Sequence, residues 1–154
     1  MDRKMATDFD QMVDQLQQEI AEEERVLYSD VVLREARAPK NLGRMTNEDL
    51  RGMVQGWCGD TMEIYLRLED GTIEDATFVT DGCGATLACG SMLTQMVSGK
   101  RLEEAEWLLP TDLVDALGGL PEESMHCAGL AISALQNALL EWRASELHEC
   151  KEGE

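Results

Sequence analysis

The stretch that decides the fold is TMEIYLRLEDGTIEDATFVT, residues Thr61–Thr80. Its first half alternates: Met62, Ile64, Leu66 and Leu68 share one face, while Glu63, Tyr65, Arg67 and Glu69 share the other. Period two is the signature of a strand buried on one side. Asp70-Gly71 is the dipeptide that tolerates the left-handed geometry of a tight hairpin turn. Residues 72–80 return as a second strand with Ile73 inward, then Ala76 and Phe78. That slip in parity predicts a bulge near Glu74-Asp75. Residues 51–57 are expected to add a third, edge strand.

Outward from this hairpin the period becomes helical. After Gly82-Cys83-Gly84, the residues Ala85, Cys89, Met92 and Met96 form one stripe, which Gly99 stops. Short helices are expected around Leu102–Glu106 and Asp112–Leu117, the second ended by Gly118-Gly119. A last helix begins near Ser124 and runs to about Leu147, with a stripe of Ala128, Ile132, Leu135, Leu139 and Trp142. On the N-terminal side, Ser29 is placed to cap a helix reaching Ala36, and Pro39 and Gly43 break the chain into a loop. Asp8 and Gln11 resemble a capping box. Phe9, Val13, Leu16 and Ile20 then predict an amphipathic helix over residues 8–26, either packed on the body or free to bind a partner. The expected class is α+β: a three-stranded antiparallel sheet with helices packed on one face.

The chain has 154 residues, which fits one domain of ordinary size. Its 13 basic and 31 acidic residues give a net charge of −18. That argues against nucleic acid and anionic membrane as partners, since both need positive charge facing phosphate. The acidity is uneven. Residues 1–27 carry eight acids and three bases, residues 28–51 four and five, residues 52–140 fourteen and three, and residues 141–154 five and two. Arg34, Arg37, Lys40, Arg44 and Arg51 thus make a locally basic stretch beside an acidic body, a boundary able to steer a partner protein. With neither a signal-peptide stretch nor an apolar run long enough to span a membrane, the expected compartment is the cytoplasm.

Five cysteines in a cytoplasmic chain point to metal ligands or reactive thiols before disulfides. Cys58 lies in Gly56-Trp57-Cys58-Gly59-Asp60, before a strand, and Cys83 lies in Asp81-Gly82-Cys83-Gly84, at a strand-to-helix turn. Cys127 follows His126 at the start of the last helix. Neighbouring glycines let the backbone approach a bulky ligand, and a helix N-terminus favours the thiolate, a setting that Cys83 and Cys127 share. Three sulfurs and one imidazole, with the Asp60 carboxylate nearby, can close around a tetrahedral zinc or hold a small iron–sulfur cluster. Cys89 sits on the apolar stripe and reads as a small core residue. Cys150 reads as an exposed spare thiol, with His148 beside it as an accessory metal contact.

The same contexts carry a resemblance. Cys58-Gly59-Asp60, Asp81-Gly82-Cys83-Gly84, and Leu120-Pro121 leading to His126-Cys127 resemble the IscU/NifU-type iron–sulfur cluster assembly scaffold family, the NifU N-terminal domain family. Between these motifs, Tyr28-Ser29-Asp30, Pro39-Lys40-Asn41-Leu42-Gly43, Ser98-Gly99-Lys100 and Leu102-Glu103-Glu104-Ala105 resemble its connecting segments, so that the likeness covers about residues 28–143.

The resemblance implies an IscU/NifU-like fold and a scaffold or carrier in place of an enzyme. A transient cluster, [2Fe–2S] first, would be built from iron and desulfurase-derived sulfur and passed to apo-proteins, with Zn²⁺ as an occupant of the apo site. Cys58, Cys83 and Cys127 would bind the cluster, with His126 as a nearby ligand and Asp60 tuning its lability. Cys127 would accept the persulfide sulfur. The implied partners are a cysteine desulfurase, an iron donor and recipient apo-proteins, and the assembly a monomer or small homo-oligomer. The basic stretch is where the desulfurase is expected. Glu122-Glu123-Ser124 stands where chaperone-served members carry a second proline and a lysine, which argues against chaperone-driven release. The organisation implied is an acidic helical extension over 1–27, the scaffold domain over 28–146 and an acidic tail over 147–154. Two alternatives use the same residues: a zinc-dependent, SufU-like sulfurtransferase, and a structural zinc module.

Overall fold

The computed structural model describes residues 2–56 and 59–152, with side chains placed for 8–20, 22, 27–56 and 59–144. Strands β1 (Leu50–Gln55), β2 (Thr61–Glu69) and β3 (Thr72–Thr80) form one antiparallel sheet in the order β1-β2-β3. Asp70 and Gly71 make the turn with φ of 52° and 79°. Both central residues are left-handed, as the twist of a two-residue hairpin requires. Arg67 pairs with Asp75 and Leu68 with Ile73, so Glu74 is the extra residue of the bulge. This slip keeps Ile73, Ala76 and Phe78 on the face that Met62, Ile64 and Leu66 line, and all six are fully buried.

Around the sheet lie α1 (Asp2–Leu27), α2 (Asp30–Arg37), α3 (Gly84–Val97), α4 (Leu102–Glu106), α5 (Pro110–Ala116) and α6 (Met125–Glu152). A 3-10 turn over Glu122–Ser124 leads into α6. Helix α6 crosses β1 and β2, while α3 lies on β3 and is also packed by α2 and α6. Ser29 caps α2 by accepting a hydrogen bond from Val32 N at 3.1 Å, and its hydroxyl also donates to the Leu117 carbonyl. Segment 41–43 covers the outer edge of β3: Phe78 N donates to Asn41 O at 3.0 Å, and Gly43 N to Phe78 O at 2.8 Å. This pairs the edge of β3 at Phe78, where an unpaired strand would otherwise invite association.

Three expectations change. Helix α1 begins at Asp2, because nothing ahead of Asp8 breaks a helix, and most of its apolar stripe is exposed, with Val13 half-buried. Phe9, Leu16 and Ile20 are 61, 50 and 54% exposed. The stripe assigned to α3 is too narrow. Met92 and Met96 are half-buried, whereas Ala85, Thr86, Ala88, Cys89, Gly90, Ser91, Leu93, Thr94 and Val97 are buried. A helix covered from several sides has no single apolar face. Helix α6 continues past Leu147 to Glu152, so its backbone extends into the expected tail. The side chains of Cys150 and His148 lie outside the described residues.

Two contacts set how tightly these layers fit. A Cβ added to Gly52 in β1 would stand 2.2 Å from the Ala134 carbonyl oxygen and 2.4 Å from Ala138 N, both backbone atoms of α6. Only glycine lets the helix backbone lie this close to the strand. On α2, Glu35 is 1% exposed and accepts from Ser91 Oγ at 2.5 Å, Gln95 Nε2 at 3.0 Å and Arg34 at 3.4 Å. Ser91 in turn accepts from Lys40 N at 2.8 Å. Burial pushes the Glu35 carboxyl up, but the hydrogen bonds from Ser91, Gln95 and Arg34 and the charge of Lys40 outweigh it and hold it below the ordinary value. On the open face of the sheet, Tyr65 is 3% exposed, with the Arg51 guanidinium 5.5 Å from its ring centroid. Glu63 accepts from both, at 2.5 Å from Tyr65 and 3.1 Å from Arg51.

Gly52→Ala is expected to cost about 3 kcal/mol, the upper range for overpacking, read by urea unfolding. A loss under about 1 kcal/mol would mean that α6 lifts freely from β1. Glu35→Gln is expected to cost about 1.5–3 kcal/mol at pH 7, the range for charge-assisted hydrogen bonds. Because its folded value is depressed, the Glu35 contribution is full above the unfolded carboxylate value of roughly 4.3. It is lost as the pH falls through the folded value. The stability gap between Glu35→Gln and the parent protein should therefore close in acid, and a gap constant from pH 7 to pH 3 would refute this account.

Candidate functional site

The ends of the three strands place the chemistry. Gln55 pairs with Thr61 and Met62 with Thr80, so the connection 56–60 and the turn 81–84 leave the same end of the sheet. The 56–60 connection contains Cys58, which with Trp57 lies outside the described residues. Around it, Gly56 N donates to Asp60 O at 2.7 Å and Gly59 N to Gly56 O at 3.0 Å. The turn after β3 is tied to β2: Thr61 N donates to Asp81 Oδ1 at 2.7 Å, and the Thr80 hydroxyl donates to Thr61 O at 2.5 Å. These two bonds join the residue after Asp60 to the end of β3 and to the turn that carries Cys83.

Cys83 is the N-cap residue of α3 and is exposed; Cys127, in the first turn of α6, is 1% exposed. Between them sits Thr86, fully buried, whose hydroxyl donates to Cys127 Sγ at 3.3 Å and lies 3.6 Å from Cys83 Sγ. His126 Nε2 is 3.7 Å from Cys127 Sγ. Tyr28 binds the start of α6 from the other side, its hydroxyl 3.2 Å from Ser124 Oγ. A cavity of about 310 Å³ opens beside Cys83, between Tyr28, Val32, Ala36 and Arg37 of the α2 region and Gly84 and Ala85 of α3. A second, of about 370 Å³, lies between β1 and α6 and is lined by Val54, Gln55, His126 and Ser133.

The expectation that both helix-start thiols favour the thiolate holds for one of them. Burial pushes Cys83 up, but hydrogen bonds from the Thr86 and Ala85 backbone, with the Thr86 hydroxyl beside it, bring it below the ordinary thiol value. Cys127 is pushed up to about 11, chiefly by burial, against the hydrogen bond from Thr86 and with the neighbouring Cys83 and Asp60 adding to the rise. Burial outweighs the helix terminus there. Cys89 is fully buried and pushed up by burial, as a core thiol should be.

Cys83, Cys127 and His126 thus meet at one end of the sheet, with Asp60 close enough to act on Cys127 through its charge. Among the described residues, no group of three or more His, Cys, Asp or Glu side chains is gathered closely enough to hold a metal ion. Arg34 and Arg37 of the basic stretch lie on α2 and line a shallow depression with Asp30, Leu33 and Ala38. Arg51 lies apart, on the open face of the sheet, bound to Glu63. No helix among the described residues is long and apolar enough to cross a membrane. Thr86 was not singled out in the sequence. The signal was its place three residues after the capping Cys83, where a first-turn side chain reaches back to the cap.

Comparison with known proteins agrees with this architecture. The chain is 42% identical over 117 residues to the iron-sulfur cluster assembly scaffold protein IscU 1 of Archaeoglobus fulgidus, covering 75% of this chain and 76% of that protein. It is 38% identical over 122 residues to the iron-sulfur cluster assembly scaffold protein IscU of Escherichia coli, covering 76% of this chain and 94% of that protein. The fold matches a SUF-system protein from Fervidobacterium islandicum with a TM-score of 0.59 at 18% identity, covering 73% and 96% of the two chains. It matches the N-terminal part of a NifU-like protein from Brucella abortus with a TM-score of 0.51 at 21% identity, covering 77% and 81%. The family described as NifU-like N terminal domain matches residues 27–149, the whole sheet and α2 through most of α6, and the chain belongs to that family.

Proposed function

We propose that this protein is a scaffold on which an iron–sulfur cluster is assembled from iron and desulfurase-derived sulfur and then passed to recipient apo-proteins. The observation that carries this reading is the pairing of two dissimilar thiols, exposed Cys83 and buried Cys127, about one buried hydroxyl at the loop end of the sheet. The cluster is cargo, so the site must bind firmly enough to build and loosely enough to release. Most permanent clusters are held by four thiolates. Here Cys58, Cys83 and Cys127 supply three, and His126 or Asp60 supplies a weaker, exchangeable fourth. A [2Fe–2S] cluster is the smallest cargo such a set accommodates, and Zn²⁺ suits the same donors in the apo protein.

Sulfur arrives as a persulfide on a cysteine desulfurase. The cavity beside Cys83, with Arg37 at its wall, and the neighbouring Arg34 give an acidic donor loop a complementary approach. Cys127 is the proposed resting place of that sulfur, reached past Cys83. Transfer breaks the donor S–S bond: the Cys127 thiol gives up its proton as its sulfur takes the outer sulfur, and the donor leaves as a thiolate that takes up that proton. Asp60 faces the finished cargo as a hard oxygen donor, a poor match for iron held by sulfur, and so keeps one corner labile.

Anaerobic reconstitution with iron, L-cysteine and a cysteine desulfurase is expected to give a visible-absorbing cluster. Persulfide passed onward without any need for iron would favour a sulfurtransferase instead. Asp60→Ala is expected to lengthen the cluster's half-life against a chelator about tenfold, equivalent to about 1.4 kcal/mol; a shortened half-life would remove Asp60 from this role. Without iron, mass spectrometry should find the stable persulfide in Cys83→Ser and lose it in Cys127→Ser. The reverse pattern would move the acceptor to Cys83.

A further inference from the structure

We propose that Thr86 is a positioning residue for the site sulfurs, its hydroxyl holding and electronically tuning Cys127 through an O–H···S hydrogen bond. The inference rests on the scaffold reading of Cys83 and Cys127. Two threonines in α3 show what is unusual. Thr94 is buried and donates to its own helix, to Gly90 O at 2.9 Å and near Ser91 O at 3.0 Å. That is the ordinary resort of a buried helical threonine. Thr86 is equally buried, yet its hydroxyl donates across to another element, to Cys127 Sγ at 3.3 Å, with Cys83 Sγ at 3.6 Å on its other side. The single oxygen links the start of α3 to the start of α6.

The surroundings hold Thr86 in that pose. A Cβ on Gly82 would stand 2.7 Å from Thr86 Oγ1 and 2.8 Å from both its Cβ and Cγ2. The glycine before Cys83 therefore makes room for this threonine. When Cys127 binds iron as a thiolate, the same O–H draws electron density from the sulfur. Hydrogen bonds to cluster sulfurs raise the reduction potential, and less electron density on the sulfur weakens its bond to the metal. Thr86 accordingly favours release of cargo as well as alignment of the two thiols.

The test uses the full chain with Thr86→Val, which keeps the shape and removes the O–H, and Thr86→Ser, which keeps the O–H. Each is loaded anaerobically, and the cluster's potential, its absorption and its loss of iron to a chelator are measured. Thr86→Val should shift the potential to more negative values, move the sulfur-to-iron charge-transfer bands to longer wavelength and slow iron loss several-fold, while Thr86→Ser should match the parent. If Thr86→Val fails to fold, Thr86→Ala must shift the same three readouts in the same direction. Unchanged readouts in the hydroxyl-free variant, or equal shifts in the valine and serine variants, overturn the role of the hydroxyl and leave the scaffold standing. A parent protein that takes up no cluster overturns the scaffold reading, and this inference with it.

Discussion

The contact on which the rest of the molecule depends is the seating of α6 on β1 at Gly52. With no side chain there, the helix backbone comes within touching distance of the strand. The helix answers with small residues: Ala131, Ala134 and Ala138 are fully buried along the same face. Such proximity leaves little freedom to slide, because interiors at crystal-like density transmit displacement. Met53 N donates to Asn137 Oδ1 at 3.2 Å, which pins the register. From that point the helix runs back along β1, and His126 arrives beside Gln55 and Gly56. The location of Cys127 and His126 at the loop end of the sheet follows from a packing constraint some ten residues away.

A second constraint works from the opposite side. Helix α2 is held to α3 by a charged group inside the protein, Glu35, whose hydrogen bonds to Ser91 and Gln95 offset its burial. A buried carboxylate is costly unless its oxygens are satisfied. In return, its bonds are directional and fix α2 in one orientation against α3. Because Cys83 caps the start of α3, the cavity beside that cysteine inherits its shape from the Glu35 network. Tyr28 and Ser29 close the frame by joining the start of α2 to Ser124 and to the Leu117 carbonyl. Cys83 and Cys127 are thus each carried at the start of a helix packed in the core.

Local chemistry was readable from the residues, and tertiary chemistry was not. The β2–β3 hairpin, its Asp70-Gly71 turn and the bulge at Glu74 are written in parity and turn residues, which act over a few positions. The caps at Ser29 and Gly99 are equally local. Periodicity gives α3 too narrow a stripe because the helix is surrounded, and it reports one buried face only when another is wet. Tyr65 stands on the outward side of β2 yet is covered by Arg51, a cross-strand neighbour that alternation cannot name. The rise of the Cys127 thiol has the same origin. Its place at a helix start was legible, but the burial that outweighs it depends on elements distant in sequence.

The two site thiols are unlike in their surroundings, and this suits a temporary cargo. Cys83 and Cys127 stand at the starts of helices that are among the most deeply packed in the protein. Cys83 is exposed and held below the ordinary thiol value, whereas Cys127 is buried and pushed up to about 11. In the proposed scaffold these two sulfurs form a packed floor, and Asp60, from the connection after β1, adds a hard oxygen donor poorly matched to iron held by sulfur. A weakly matched donor can exchange without disturbing the sheet. Release in that scheme asks for one ligand to exchange and not for the core to unfold, which separates the stability of the fold from the lability of its contents.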